Sequence, residues 1–164
     1  MKTKILLVTV FSVFSFILLA QDEKVNIENL LDQWHQAAAN ADQIAYFDFI
    51  AENGIYIGTD ATENWTKSEF FEWSKSYFEN GKAWNFEATE RNIYFSKDRS
   101  IVWFDEQLQY TGGVLRGTGV LIKEKNNWKL AHYVLSLPVP NEKFKDVMKV
   151  IKEEREQSQE EKLE

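Results

Sequence analysis

The chain has 164 residues, a length that fits one ordinary domain, and 19 Lys and Arg against 26 Asp and Glu give it a net charge of −7. It contains no cysteine and only two histidines, His35 and His132, which excludes a disulfide framework, a thiolate nucleophile and a zinc ribbon. An acidic chain without a basic block is a poor partner for nucleic acid, because that affinity rests on neutralising phosphates.

Lys2 and Lys4 precede an uncharged, largely apolar stretch from Ile5 to Leu19, and after Ala20 the chain turns polar with Gln21-Asp22-Glu23-Lys24. A basic start, a short apolar core and a small residue at its end describe a secretory signal peptide cut after Ala20. The core falls short of the ~20 apolar residues that span a bilayer. An uncleaved anchor is the alternative, since Leu18 is larger than the residue preferred three before a cut. The sequence thus divides into a signal peptide over 1–20, a domain over 21–152 and a charged C-terminal tail over 153–164 that is expected to fray. The protein is expected in the periplasm or secreted, with no membrane attachment after signal cleavage.

Along the mature chain, Ile27, Leu30, Leu31, Trp34, Ala38 and Ala41 recur at helical intervals, with Asn26 as a plausible N-cap. Asp42 is placed to cap a second helix bearing Ile44, Phe47 and Ile50. Gly54 breaks that pattern, and Ile55-Tyr56-Ile57 reads as a short strand. Thr66-Lys67-Ser68-Glu69 is a capping box that launches a helix with Phe70, Trp73, Tyr77 and Phe78 on one face, ended by Asn80-Gly81. From Trp84 the period changes to two. Strands are predicted from Trp84 to Phe95, Ser100 to Tyr110, Val114 to Lys123 and Trp128 to Leu137. Their links, Ser96 to Arg99, Thr111-Gly112-Gly113 and Asn126-Asn127, are too short for crossovers, so the four strands form an antiparallel meander. After Pro138 and Pro140, Asn141 can cap a last helix bearing Phe144, Val147, Met148 and Ile151. No internal repeat or domain boundary appears, and the order of elements makes a single α+β domain.

Alternation then suggests which side chains point into a curved sheet. In the last strand, Trp128, Leu130, His132, Val134 and Ser136 share an uncharged face, assigned inward. In the strand before it, Arg116 and Thr118 are assigned inward, because Gly117 and Gly119 on the other face would let the sheet bend. The strand from Ser100 to Tyr110 buries either Glu106, with Val102, Phe104 and Leu108, or Asp105, with Ile101 and Trp103. The first set is the more apolar.

Four strings, GTDATENW (Gly58 to Trp65), WFDE (Trp103 to Glu106), RGTGVL (Arg116 to Leu121) and WKLAHYVLSLPVPN (Trp128 to Asn141), lie in order on matching elements. With them the chain resembles the nuclear transport factor 2-like superfamily and within it the bacterial SnoaL-like branch, over about residues 25 to 145. The resemblance implies an α+β cone, a curved antiparallel sheet wrapped around N-terminal helices to leave a cavity. It also implies a homodimer formed through the outer sheet surface, where Leu115, Leu121 and Leu135 are expected. The superfamily holds isomerases, cyclases, dehydratases and proteins without known chemistry, so the resemblance leaves the reaction open.

Glu106, Arg116 and His132 come from three consecutive strands and are expected to converge inside the cone. They would form either an acid–base group or a buried ion pair with a core histidine. Asp60, in the segment from Thr59 to Trp65, can bond local backbone or reach a ligand, and Trp65 can close the mouth. Tyr56, Trp84 and Thr118 complete the candidate lining, beside Tyr46, Trp73, Tyr77 and Phe86; such a surface suits a planar, apolar molecule. No cofactor or metal is expected, since His35 is placed near the outer edge of the first helix, far from His132. The expected function is an exported pocket protein that binds a small apolar or aromatic molecule. The alternatives are an isomerase or cyclase using a cavity carboxylate and histidine, and a structural dimerisation module.

Overall fold

The structure, a computed structural model, describes residues 23–81 and 83–160, with side chains described to Gln157. The expected signal peptide therefore lies outside the described residues. Helix α1 (23–39) turns Ile27, Leu31, Trp34 and Ala38 into the core. It starts before Asn26, which stands inside the helix and does not cap it. Its end is set by Ala41, whose φ of 54° is left-handed, while the Asp42 N–H closes on the Ala37 carbonyl at 2.8 Å. Asp42 then caps α2 (Gln43–Phe49) by accepting from the Ala45 N–H.

Ile50 opens a strand instead of continuing α2. Strand β1 (Ile50–Ile57) absorbs Gly54 at a register irregularity, where a Cβ would stand 2.9 Å from the Ala51 carbonyl oxygen and 3.0 Å from that of Leu130. Gly54 is thus a point of close strand approach and not a break. A short strand β2 (Asn64–Thr66) pairs with β1 and leads into α3 (Lys67–Glu79), where Thr66 and Glu69 form the expected capping box.

Strands β3 (Glu87–Phe95), β4 (Ile101–Tyr110), β5 (Gly113–Glu124) and β6 (Asn127–Ser136) make the antiparallel meander. The whole sheet runs β2-β1-β6-β5-β4-β3, and β1 joins β6 in parallel, so the sheet is mixed. After a 3₁₀ turn (Asn141–Lys143), helix α4 (Phe144–Glu160) continues past the point where fraying was expected. Its second half is made of good helix formers joined by Lys149–Glu153 and Lys152–Glu156 pairs.

The inner face differs from the expectation on two strands. On β5 the buried set is Gly117, Gly119 and Leu121, while Arg116 is exposed and Thr118 half-buried on the outside. The glycines do not face outward to relax the sheet; they make room inside it. A Cβ at Gly119 would stand 2.6 Å from the Phe104 ring, and one at Gly117 would overlap the Tyr133 hydroxyl. On β6 the pairing steps from Leu121–Leu130 to Val120–His132 and leaves Ala131 unmatched. This bulge switches the alternation midway, so that Trp128, Leu130 and Tyr133 are buried and His132 faces out. Leu121 and Leu135, expected outside, belong to the core and to its packed margin.

Candidate functional site

Glu106 lies on the buried face of β4, 1% exposed, and Asp105 on the outer face accepts from Asn92 Nδ2 at 3.1 Å. The choice between the two carboxylates is settled by the apolar neighbours of Glu106. Its partners are not the expected ones. His35 Nε2 donates to Oε1 at 2.8 Å, Tyr133 Oη donates to the same oxygen at 3.0 Å, and Arg91 Nε donates to Oε2 at 2.8 Å. A carboxylate only accepts, so this contact places a proton on His35 Nε2. Arg91 is held in turn by the Asp32 carboxylate at 2.8 Å and the Glu28 carbonyl at 3.1 Å.

Arg116 and His132 take no part in this cluster. Gly117 and Gly119 face inward on β5, opposite to the expectation, and the bulge at Ala131 moves His132 to the other side of β6. The periodicities did contain His35 and Arg91. His35 follows Ile27 and Leu31 along one row of α1, and Arg91 alternates inward with Ile93 and Phe95 on β3.

Burial works to raise the pKa of Glu106, but the hydrogen bond from His35 and the charges of His35 and Arg91 outweigh it and hold the carboxyl below the usual glutamate range. Burial likewise opposes the charge on Arg91, and the Glu106 and Asp32 carboxylates more than restore it. Tyr133 is pushed far up, by burial first and then by the Glu106 charge, so its hydroxyl stays a proton donor. Glu106 is thus an ionised anchor with both oxygens occupied. A general base needs a pKa near the working pH and a free lone pair aimed at a substrate, and Glu106 has neither here.

A small cavity of about 240 Å³ touches the cluster through Asp32 and His35 but not Glu106, and the aromatic space lies elsewhere. A cavity of about 360 Å³ is bounded by Tyr56 of β1, Trp65 of β2, Phe70, Trp73 and Tyr77 of α3, Trp84 and Phe86 of the following loop, and Tyr110, Leu115 and Leu135 of the sheet. The rings brace one another: Tyr56 and Phe70 stack at 4.0 Å between centroids, Trp65 and Trp73 meet at 4.6 Å, and Phe70 stacks on Trp84 at 5.6 Å. Trp73, Tyr77 and Tyr110 are 42%, 45% and 40% exposed and form its rim. Glu63 is the one charged lining residue, folded over Gly58 and accepting from the Asp60 N–H. Glu106 is not on this wall.

Tyr56, Trp65 and Trp84 therefore stand in the cavity, whereas Asp60, Arg116, Thr118 and His132 do not. Asp60 is exposed and spends Oδ1 on the Thr62 N–H and hydroxyl, which is the turn-forming alternative for that segment. Among the described residues no group of three or more His, Asp and Glu side chains is placed to hold a metal ion. None of the described helices is long and apolar enough to cross a membrane.

The sequence profile of the SnoaL-like domain matches residues 27–140, the greater part of the chain. The chain belongs to this family. Among solved structures, the domain is similar to an NTF2-like protein of unknown function from Pseudomonas putida KT2440, at 14% identity, 74% of this chain and 91% of that one, with TM-score 0.61. It is also similar to an NTF-2 like protein of unknown function from Shewanella oneidensis MR-1, at 17% identity, 70% and 99% coverage, and TM-score 0.54. A provisionally assigned scytalone dehydratase from Novosphingobium aromaticivorans DSM 12444 matches at 12% identity, 73% and 87% coverage, and TM-score 0.58. At such identities the likeness shows the fold alone. No curated protein matches this SnoaL-like chain in sequence. The family supports a ligand-binding or isomerase-type role at that level of detail.

Proposed function

We propose that this SnoaL-like domain binds a small, planar, largely apolar molecule in the aromatic cavity and performs no acid–base chemistry at Glu106. The observation that carries the reading is the separation of the two features. The cavity is walled by stacked aromatic rings with a single carboxylate, while the one deeply buried carboxylate lies off its wall with every oxygen committed. A flat ring entering between Trp73, Trp84 and Tyr110 gains stacking and apolar burial without stranding a charge. Titration of the protein with 1-naphthol, followed by the indole N–H signals in a ¹H–¹⁵N spectrum, tests this. The Trp65, Trp73 and Trp84 signals shift saturably, and Trp73→Ala at the rim weakens binding. Unmoved signals of these three tryptophans sink the reading.

The domain is further proposed to work outside the cytoplasm, as a chain cut after Ala20. The basic start, apolar core and small residue of the first twenty positions support this. Mass measurement of the protein from its host checks the cut, and an intact Met1 refutes it. A homodimer through the outer sheet face completes the proposal, supported by the apolar row that crosses this face. Tyr94, Trp103, Val120, His132 and Ile55 are register partners from β3 to β1, and Tyr94 stacks on Trp103 at 5.9 Å while both remain about half exposed.

A further inference from the structure

A second cavity, of about 540 Å³, opens where α1 and α2 meet the β5–β6 turn, and none of its lining is shared with the aromatic cavity. Its rim carries the amides of Asn26, Gln33, Asn126 and Asn127, all exposed. The turn that presents two of them is stiff. Lys125 and Asn126 both have left-handed backbone, with φ of 48° and 76°, and Glu124 pairs with Asn127 across it, as in a tight two-residue hairpin. The only charges on the wall, Asp48 and Lys129, neutralise each other: Nζ donates to the Asp48 carboxylate at 3.2 Å and also to its carbonyl. Of the aromatic residues at the floor, Trp34 and Trp128 are buried and Phe49 is half-buried. Trp34 is 2% exposed, yet its indole Nε1–H has no hydrogen-bond partner among the described residues.

From this lining we infer that the cavity is a binding site for an uncharged polyhydroxylated ring, a monosaccharide or cyclic polyol. Each amide offers a donor and an acceptor side by side, and each hydroxyl is likewise both, so the two kinds of group satisfy each other in pairs. A self-neutralised wall gives no advantage to an anion or a cation. The partly open Phe49 ring at the floor matches the C–H face of a sugar ring and not its hydroxyls. The inference does not rest on the aromatic cavity or on what that cavity binds.

The test is titration of the whole protein with D-glucose, D-galactose and myo-inositol, read on the side-chain NH₂ signals of Gln33, Asn126 and Asn127. At least one of the three moves these signals saturably. Asn126→Gly removes the amide but keeps the left-handed backbone, and it weakens that probe roughly threefold to tenfold, the worth of about one hydrogen bond. Gln33→Ala, on the exposed side of α1, does the same. The inference is overturned if none of the three probes gives a saturable shift there, or if cyclohexanol moves the same signals as strongly. It is also overturned if both variants leave the affinity unchanged, or if the shifts fall on Trp73 and Trp84 instead.

Discussion

Glu106 shows what one charged side chain demands when it is taken out of water. Its two oxygens accept from His35, Tyr133 and Arg91, three donors drawn from a helix and two strands. Removing the charge strands a nearly buried guanidinium, so Glu106→Gln is expected to cost about 3 kcal/mol, measured by urea unfolding. The same residue sets part of the acid response. Its folded pKa lies below its unfolded value, so in the window below the ordinary glutamate range the unfolded chain binds more protons. The stability it contributes is present above about pH 5 and is lost as the pH falls through its folded pKa. Unfolding curves at stepped acidic pH are expected to show a steeper loss for the wild type than for Glu106→Gln; parallel slopes would refute the linkage. Gly117 belongs to the same story, because a Cβ there would overlap the Tyr133 hydroxyl and come within 3.0 Å of Glu106 Oε1. Gly117→Ala is expected to cost about 1–3 kcal/mol in the wild type and clearly less in a Tyr133→Phe background, a coupling that a double-mutant cycle reads directly.

Elements whose ends are marked by their own side chains were the legible ones. The Thr66–Glu69 box starts α3 as expected, and Asp42 caps α2. Thr66→Ala is expected to lower stability by about 1 kcal/mol, while Thr66→Ser stays near neutral in the same unfolding measurement. The cavity face of α3, with Phe70, Trp73 and Tyr77, follows from its spacing alone. What strand alternation could not carry was the bulge at Ala131. A bulge is a property of pairing between β5 and β6, and nothing in the string from Trp128 to Ser136 announces it. One unmatched residue was enough to put His132 on the wrong side and hide Tyr133. The glycines of β5 mislead for a related reason. A missing side chain says that something comes close, but only the fold says from which side.

At the scale of the whole molecule, the order of helices and the meander were legible, and the parallel junction of β1 with β6 was not, since it joins segments far apart in the chain. The outer face produced by this sheet carries Tyr94 and Trp103, stacked and each about half exposed. Trp103→Glu in the middle of the Tyr94–Trp103–Val120 row is expected to turn a dimer into a monomer in sedimentation, with the fold retained. A wild-type protein that already sediments as a monomer removes the basis for that proposal.

The parallel junction has one more consequence, in time and not in space. Strand β1 is made early, but apart from the three-residue β2 its neighbour in the sheet is the last strand of the meander. A growing chain can form hairpins from β3 onward as each strand appears, and α1 can reach β3 and β4 through Asp32–Arg91 and His35–Glu106, yet β1 with α2 and α3 cannot join the sheet until residues near 130 have been made. Completion of the domain therefore waits for nearly the full length of the polypeptide, and a chain arrested before β6 leaves β1 and α3 without the strand that carries them to the meander.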